Sequence, residues 1–260
     1  MSRGYWTDAI VIRTYKLGES DKIVVLLSPK HGKIRAAANG ARRAKSPFSG
    51  ATQLFTYANV QCFSSKKEGG LHRFAQAEVK EPFFRLREDL VKLAYGSYFC
   101  ELAGELAVED DEATQLFSLL LKTLYLMVDE DDPTLLSIWF QLNALAYAGF
   151  QPSLDACVHC GTDLENNGSY YFSAAAGGLV CRRCLGEPTQ EGTSAEAKAL
   201  SRGSIATMDR LLGSSWQRMR NFRPTAGMLQ EIDTLLRSFA VHQLEKGLQS
   251  LSFLDTVRGV

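Results

Sequence analysis

Up to about residue 80 the apolar positions come in short runs and alternations. Beyond Pro82 they recur every three or four residues. Ala9-Ile10-Val11-Ile12 and Ile23-Val24-Val25-Leu26-Leu27 are β-branched runs bounded by turn residues, which reads as strand. Ser28-Pro29-Lys30-His31-Gly32 separates the second run from Ile34, Ala36 and Ala38, which alternate with Lys33, Arg35 and Ala37, so the spacing predicts a hairpin. Asn39 to Gly50, rich in Gly, Ser, Pro and cations, reads as a loop. Leu54 to Phe63 and Leu71 to Val79 supply two further strands around the turn Ser64 to Gly70. Five short strands in so few residues suit a small closed barrel, and the OB-fold is the five-stranded barrel that binds oligonucleotides.

After Pro82, Phe84, Leu86, Leu90, Leu93, Ala94 and Phe99 keep helical spacing, and further helices are expected at 112–128 and 133–148. Asp132-Pro133 makes a start for the third and Gly149 a stop. Cysteine, Gly and Asn break the pattern over 151–190. Helix is expected to resume at Ser194, and Met228, Leu229, Ile232, Leu235, Leu236, Phe239 and Leu244 form an apolar stripe. The expected class is α+β and multidomain. It comprises a five-stranded OB-fold barrel (1–80), an all-helical domain in two parts (81–150 and 191–260) and a four-cysteine zinc insertion (151–190).

Charge sharpens this division. The formal net charge is zero, yet residues 1–80 hold 14 Lys+Arg against 5 Asp+Glu, and the remainder is equally acidic. A basic module of this size attracts polyanions by neutralising phosphates and releasing counterions. The start of the chain shows no charged stretch leading into an apolar run. The most apolar helix, Leu116 to Val128, is interrupted by Lys122 and too short to cross a bilayer. The expectation is a cytoplasmic, nucleoid-associated protein with no membrane partner.

Four of the six cysteines form two Cys-x-x-Cys pairs, Cys157/Cys160 and Cys181/Cys184, with 20 residues between them. Such a turn places two thiolates on one metal, and two turns complete the tetrahedron that zinc prefers. The expected cofactor is one structural zinc per chain; the rivals are a redox dithiol or an iron–sulfur cluster. His159 reads as a solvent-facing spacer, and Cys62 and Cys100 as buried apolar residues.

Cations of the basic module concentrate at Arg13, Lys16 and Lys22, at Lys33 and Arg35, and at Arg42, Arg43 and Lys45. These eight are the candidate DNA contacts. Among Tyr5, Trp6, Tyr15, Phe48, Phe55, Tyr57 and Phe74, most are expected in the core, leaving about two to stack on bases. Nothing here reads base sequence, so recognition should rest on backbone charge and stacking.

Ala9-Ile-Val-Ile-Arg-Thr-Tyr-Lys-Leu-Gly-Glu-Ser-Asp-Lys, then His31-Gly-Lys-Ile and Ala38-Asn-Gly-Ala-Arg-Arg-Ala-Lys-Ser, resemble the amino-terminal domain of the bacterial RecO family. The order of parts resembles that family over essentially the whole chain. The resemblance implies a non-enzymatic DNA-repair protein that binds single- and double-stranded DNA and anneals complementary strands. It also implies work with RecR to load RecA onto DNA coated by SSB, whose acidic tail docks on family members. Lys33, Arg35, Arg42, Arg43 and Lys45 match the family's basic positions, and the cysteines place the chain in its zinc-bearing group. Two other readings stay open. One is an adaptor whose acidic helical domain carries the function. The other is a zinc-bearing nucleic-acid enzyme, in which Glu109-Asp110-Asp111-Glu112 would bind Mg²⁺ instead of forming a solvated interhelical loop.

Overall fold

The computed structural model describes residues 4–259 except 66, 68, 164–169, 186–187, 190–191, 194–196 and 220. The chain divides into two compact units, residues 1–133 with 248–260, and residues 134–247. The expected break near Pro82 falls inside the first unit, where the helix at 90–106 packs on the barrel and the helix at 249–258 packs on that helix.

In the first unit β1 (Gly4–Leu17), β2 (Asp21–Ser28), β3 (Gly32–Ala38), β4 (Tyr57–Phe63) and β5 (His72–Glu81) close a barrel in the order β1-β2-β3-β5-β4. All pairings are antiparallel except β3 with β5, the parallel closure. Alternation sets the inside: Ala9, Val11, Val24, Leu26, Ile34, Ala36, Val60, Cys62 and Phe74 form the core. Their neighbours point outward. A bulge in β1 between Val11 and Arg13 re-aims the second half of that strand.

Part of the barrel's exterior is covered. After α1 (Phe84–Glu88), α2 (Leu90–Leu106) starts at Asp89, whose carboxylate accepts the backbone N–H groups of Val91 and Lys92. Two glycines let α2 lie close. A Cβ at Gly104 would stand 2.8 Å from Ile12 Cδ1, and one at Gly96 2.9 Å from Phe55. Following α3 (Thr114–Val128), the unit is completed from the far end of the chain by α8 (Gln249–Arg258). Glu101 on α2 accepts the N–H groups of Gln249 (3.1 Å) and Ser250 (2.7 Å), satisfying the start of α8.

The acidic segment 109–112 is strapped to the β2–β3 turn. Lys33 N–H donates to Val108 O, Ala113 N–H donates to Pro29 O, and Glu109 bridges to Gly32 and Lys33. Gly32 has φ +52°, and a Cβ there would press into the carbonyls of Val108 and Asp111. Glycine in the His-Gly-Lys string is therefore required by this contact.

The second unit contains α4 (Thr134–Tyr147), β6 (Tyr170–Ser173), β7 (Gly178–Cys181), a 3₁₀ turn (Arg182–Cys184), β8 (Pro188–Thr189), β9 (Gly192–Thr193), β10 (Lys198–Leu200), α5 (Arg202–Leu211), α6 (Trp216–Met219) and α7 (Ala226–Gln243). Helix α4 stops at Gly149 (φ +89°), as its sequence suggests. The helix expected to resume at Ser194 falls partly outside the described residues; Lys198–Leu200 is a strand, and α5 starts at Arg202, capped by the Ser201 hydroxyl. The amide of Asn143 donates to Trp139 O and Leu211 O and accepts from Gly213 N–H, so its burial costs little. Trp139 packs on Trp216, and Phe172 of β6 meets Phe239 of α7 edge-on.

Candidate nucleic-acid interface and metal centre

The eight candidate cations fall into two groups. Lys16 lies opposite Lys22 across β1 and β2, at the end where the β1–β2 turn meets the 39–50 loop. Lys22 Nζ reaches Thr52 Oγ1 at 3.4 Å, and burial, with the nearby Arg42, holds its ammonium below the usual lysine range. Arg42 donates from its guanidinium to the carbonyls of Gly18 (3.1 Å) and Glu19 (2.9 Å) and from its backbone to Ser20 O. Asp21 returns the bond, accepting Gly40 N–H at 2.7 Å and the Ser20 hydroxyl at 3.0 Å. Those donors hold the Asp21 carboxyl below the usual carboxylate range, Gly40 first. The Gly-Glu-Ser-Asp-Lys and Gly-Ala-Arg-Arg strings are thus two halves of one loop-to-loop joint. Arg43 and Lys45 project from it, both exposed.

Arg13, Lys33 and Arg35 make contacts within the unit. Arg13 donates to Gln249 Oε1 at 2.7 Å and stands 3.7 Å from Glu101. Lys33 Nζ donates to Gly104 O at 2.9 Å, closing the end of α2. Arg35, still exposed, pairs with Glu109 at 3.8 Å. The acidic segment is exposed, as a solvated loop would be, and Glu109 also faces the barrel through Arg35.

Most aromatic residues of the barrel are internal: Phe55 and Phe74 are buried, and Phe48 meets Phe74 edge-on. Tyr5 packs against His31 with ring centroids 4.4 Å apart and planes tilted by 41°, and its hydroxyl lies 2.8 Å from His72 Nδ1; burial raises its pKa. Trp6 and Tyr15 are exposed. The sequence reading left out Arg73 and Phe63, because only the parallel closure of β3 on β5 brings them beside the other rows.

In the second unit the Sγ atoms of Cys157, Cys160, Cys181 and Cys184 lie within 4.8 Å of one another. Cys160 and Cys181 are 3.8 Å apart. A tetrahedral zinc with bonds of about 2.3 Å has sulfur–sulfur edges of about 3.8 Å, so the donor set fits that ion. The first pair sits in a tight turn: Gly161 N–H donates to Cys157 O at 2.8 Å, Cys157 N–H donates to Thr162 O, and Gly161 takes φ +65°. The β6–β7 hairpin carries Cys181, whose N–H donates to Cys157 Sγ at 3.3 Å. Gly178 lets Ser153 and Val158 approach, since a Cβ there would meet both at 2.7 Å.

Hydrogen bonds from Thr162 lower the Cys160 thiol to about 6. Burial opposes ionisation of Cys181, but N–H donors of Cys184 and Arg183 outweigh it. Burial and the neighbouring thiols push Cys184 up to about 12, a cost that a divalent cation among four sulfurs removes. The four cysteines could therefore hold a metal ion, with no ligand position left for substrate. His159, expected to face solvent, is half-buried, and its Nε2 has no hydrogen-bond partner among the described residues. Cys62 and Cys100 are fully buried as expected. No helix among the described residues is long and apolar enough to cross a membrane.

Two family profiles match the chain, Recombination protein O N terminal over residues 1–83 and Recombination protein O C terminal over residues 87–252. Among similar proteins, the DNA repair protein RecO of Symbiobacterium thermophilum is 41% identical over 256 residues, covering 98% of both chains. That of Pelotomaculum thermopropionicum is 34% identical over 251 residues, covering 96% of this chain and 93% of its own. That of a Nocardioides species is 32% identical over 255 residues, covering 96% and 99%.

Proposed function

Because this chain belongs to the RecO family of DNA repair proteins, we propose that it is a non-enzymatic recombination mediator that anneals complementary single strands on its barrel. The observation that carries this reading is the gathering of Lys16, Lys22, Arg42, Arg43 and Lys45 around one joint beside exposed Tyr15. Annealing needs no bond made or broken. Two polyanions repel, and a cationic surface screens both while leaving base edges free to pair.

The resemblance that names the family also supplies the partners. With RecR, the protein would help load RecA onto SSB-coated DNA, in the cytoplasm at the nucleoid, contacting the SSB tail and both single- and double-stranded DNA. Zinc is the ion the cysteines suit. Cys157, Cys160, Cys181 and Cys184 would hold it, and it would supply a structural tie and no chemistry.

The reading is tested by titrating a labelled oligo(dT) with the protein across a salt series. Five cations, each neutralising one phosphate, give a log–log slope of about −3.5 for a single strand. A flat salt response, or no binding at low salt, contradicts it.

A further inference from the structure

Outward-facing residues can be followed around the barrel from strand to strand. Tyr15 lies opposite Ile23, Ile23 opposite Ala37, Ala37 opposite Arg73, Arg73 opposite Phe63, and Phe63 opposite Gly4. From Tyr15 to Gly4 the row takes five strand-to-strand steps, about 24 Å of sheet, and returns to β1 around the closed barrel. One row over, Trp6 lies opposite Gln61 and Gln61 opposite Gln76. Period-two alternation puts Trp6 on the same outer face as Gly4, and Gln61 beside Phe63, while Val60 and Cys62 point into the core.

Two features of this face point to a ligand with flat, aromatic groups and negative charge. The Arg73 guanidinium lies over the Phe63 ring, 4.3 Å from its centroid, and Phe63 itself lies over Gly4, where no side chain intervenes. Trp6 is 48% exposed, although a sheet face offers an indole easy burial when a neighbouring element is available. The other two tryptophans, Trp139 and Trp216, are buried. Arg73 and Lys67 supply exposed positive charge. Asp110 comes within 4.0 Å of His72, next to Arg73, and the acids carried by the strands of this face lie one row further on. There Asp8 is neutralised by Lys80 at 2.7 Å, leaving Glu78 beyond the aromatic groups. At the other end of the long row, Arg13 lies 5.1 Å over Tyr15, so the same cation-on-ring arrangement marks both ends.

We propose that Phe63, Arg73 and Trp6 form a base-stacking subsite for single-stranded DNA on the β1–β4–β5 face, continuous along the outer row with Tyr15 and the cationic joint. The proposal rests on the DNA-binding reading above and adds the path of the strand. Phosphates are held at the Lys16–Lys45 end. The strand then crosses the shallow part of the row at Ile23 and Ala37, and its bases stack on the Arg73–Phe63 plane and on Trp6. Stacking of this kind accepts every base, because each has a π-face. The amides of Gln61 and Gln76 lie beside it without imposing a sequence.

The test uses the full chain and two oligomers of equal length and charge, oligo(dT) and its abasic counterpart. Oligo(dT) should quench part of the intrinsic tryptophan emission while the abasic strand binds without quenching, and Trp6→Ala should abolish the quench. Trp6→Ala and Arg73→Ala, both at exposed positions, should each weaken oligo(dT) binding about tenfold, with Trp6→Ala leaving abasic binding unchanged. Oligo(dT) binding at wild-type strength in both variants, with no quench in the wild type, overturns the subsite and leaves the cationic joint standing. Equal weakening of both oligomers by Arg73→Ala also overturns it, since that is a phosphate contact. Failure of the wild type to bind either oligomer removes the DNA-binding reading and the subsite together.

Discussion

Cys157→Ser should remove most of the soluble protein, and the fraction that folds should bind single-stranded DNA within about twofold of the wild type. Cys157 is 2% exposed, and its sulfur both accepts the Cys181 N–H and sits within 4.8 Å of the other three. A serine hydroxyl at that position is a poor zinc ligand, and the loss leaves three thiolates crowded without the cation that neutralises them. Structural zinc contributes about 10–16 kcal/mol in isolated finger peptides. The effect here should be smaller, because β6 and α7 share a core contact at Phe172 and Phe239 that does not depend on the metal. A zinc assay giving one ion per wild-type chain, with a melting point that falls on chelation, checks the account. A variant that melts like the wild type but has lost DNA binding contradicts a purely structural role.

Arg43→Glu combined with Lys45→Glu should weaken oligo(dT) binding by well over tenfold at low salt and flatten the log–log salt slope by about 1.4, since two phosphate contacts are lost. Both side chains are exposed on the 39–50 loop and hold no carbonyl of the joint, although Arg43 faces Asp21 electrostatically, so the barrel should melt close to the wild type. Arg42→Glu is expected to behave differently. Its guanidinium holds the Gly18 and Glu19 carbonyls, so the reversal strands two acceptors. Lower affinity in that variant should come with a lower melting temperature, and the pair of variants separates charge from architecture. A folded Arg43/Lys45 double variant with wild-type affinity would place DNA elsewhere on the molecule.

The barrel was legible because its strands obey a two-residue period and its turns carry Gly, Pro and Ser. The barrel core around Val11, Val24, Leu26, Ile34 and Val60 follows from that alternation. The cysteine cluster was legible because ligand spacing is local. Long-range returns left no such mark. Nothing in Gln249 or Ser250 announces that they will meet Glu101, since that contact is made by backbone N–H groups that every residue carries. The strapping of 109–112 to the β2–β3 turn is likewise carried largely by main-chain bonds, and the need for glycine at position 32 is its trace in the sequence. The cations were found as a set, but charge counting cannot distinguish Arg43 from Arg42 or Lys33, whose partners are carbonyl oxygens. Arg73 and Phe63 escaped notice because the parallel pairing that unites them with the outer row joins segments far apart in sequence.

Strand annealing reports whether the barrel brings two strands together without chemistry. Two complementary fluorescent oligonucleotides are mixed with the full chain in the absence of nucleotide, across a salt series. Annealing should accelerate at low salt, fade steeply as salt rises and be lost in the Arg43/Lys45 double variant. An annealing rate no faster than that of the free strands, from protein that is folded and zinc-loaded, would contradict annealing on the barrel.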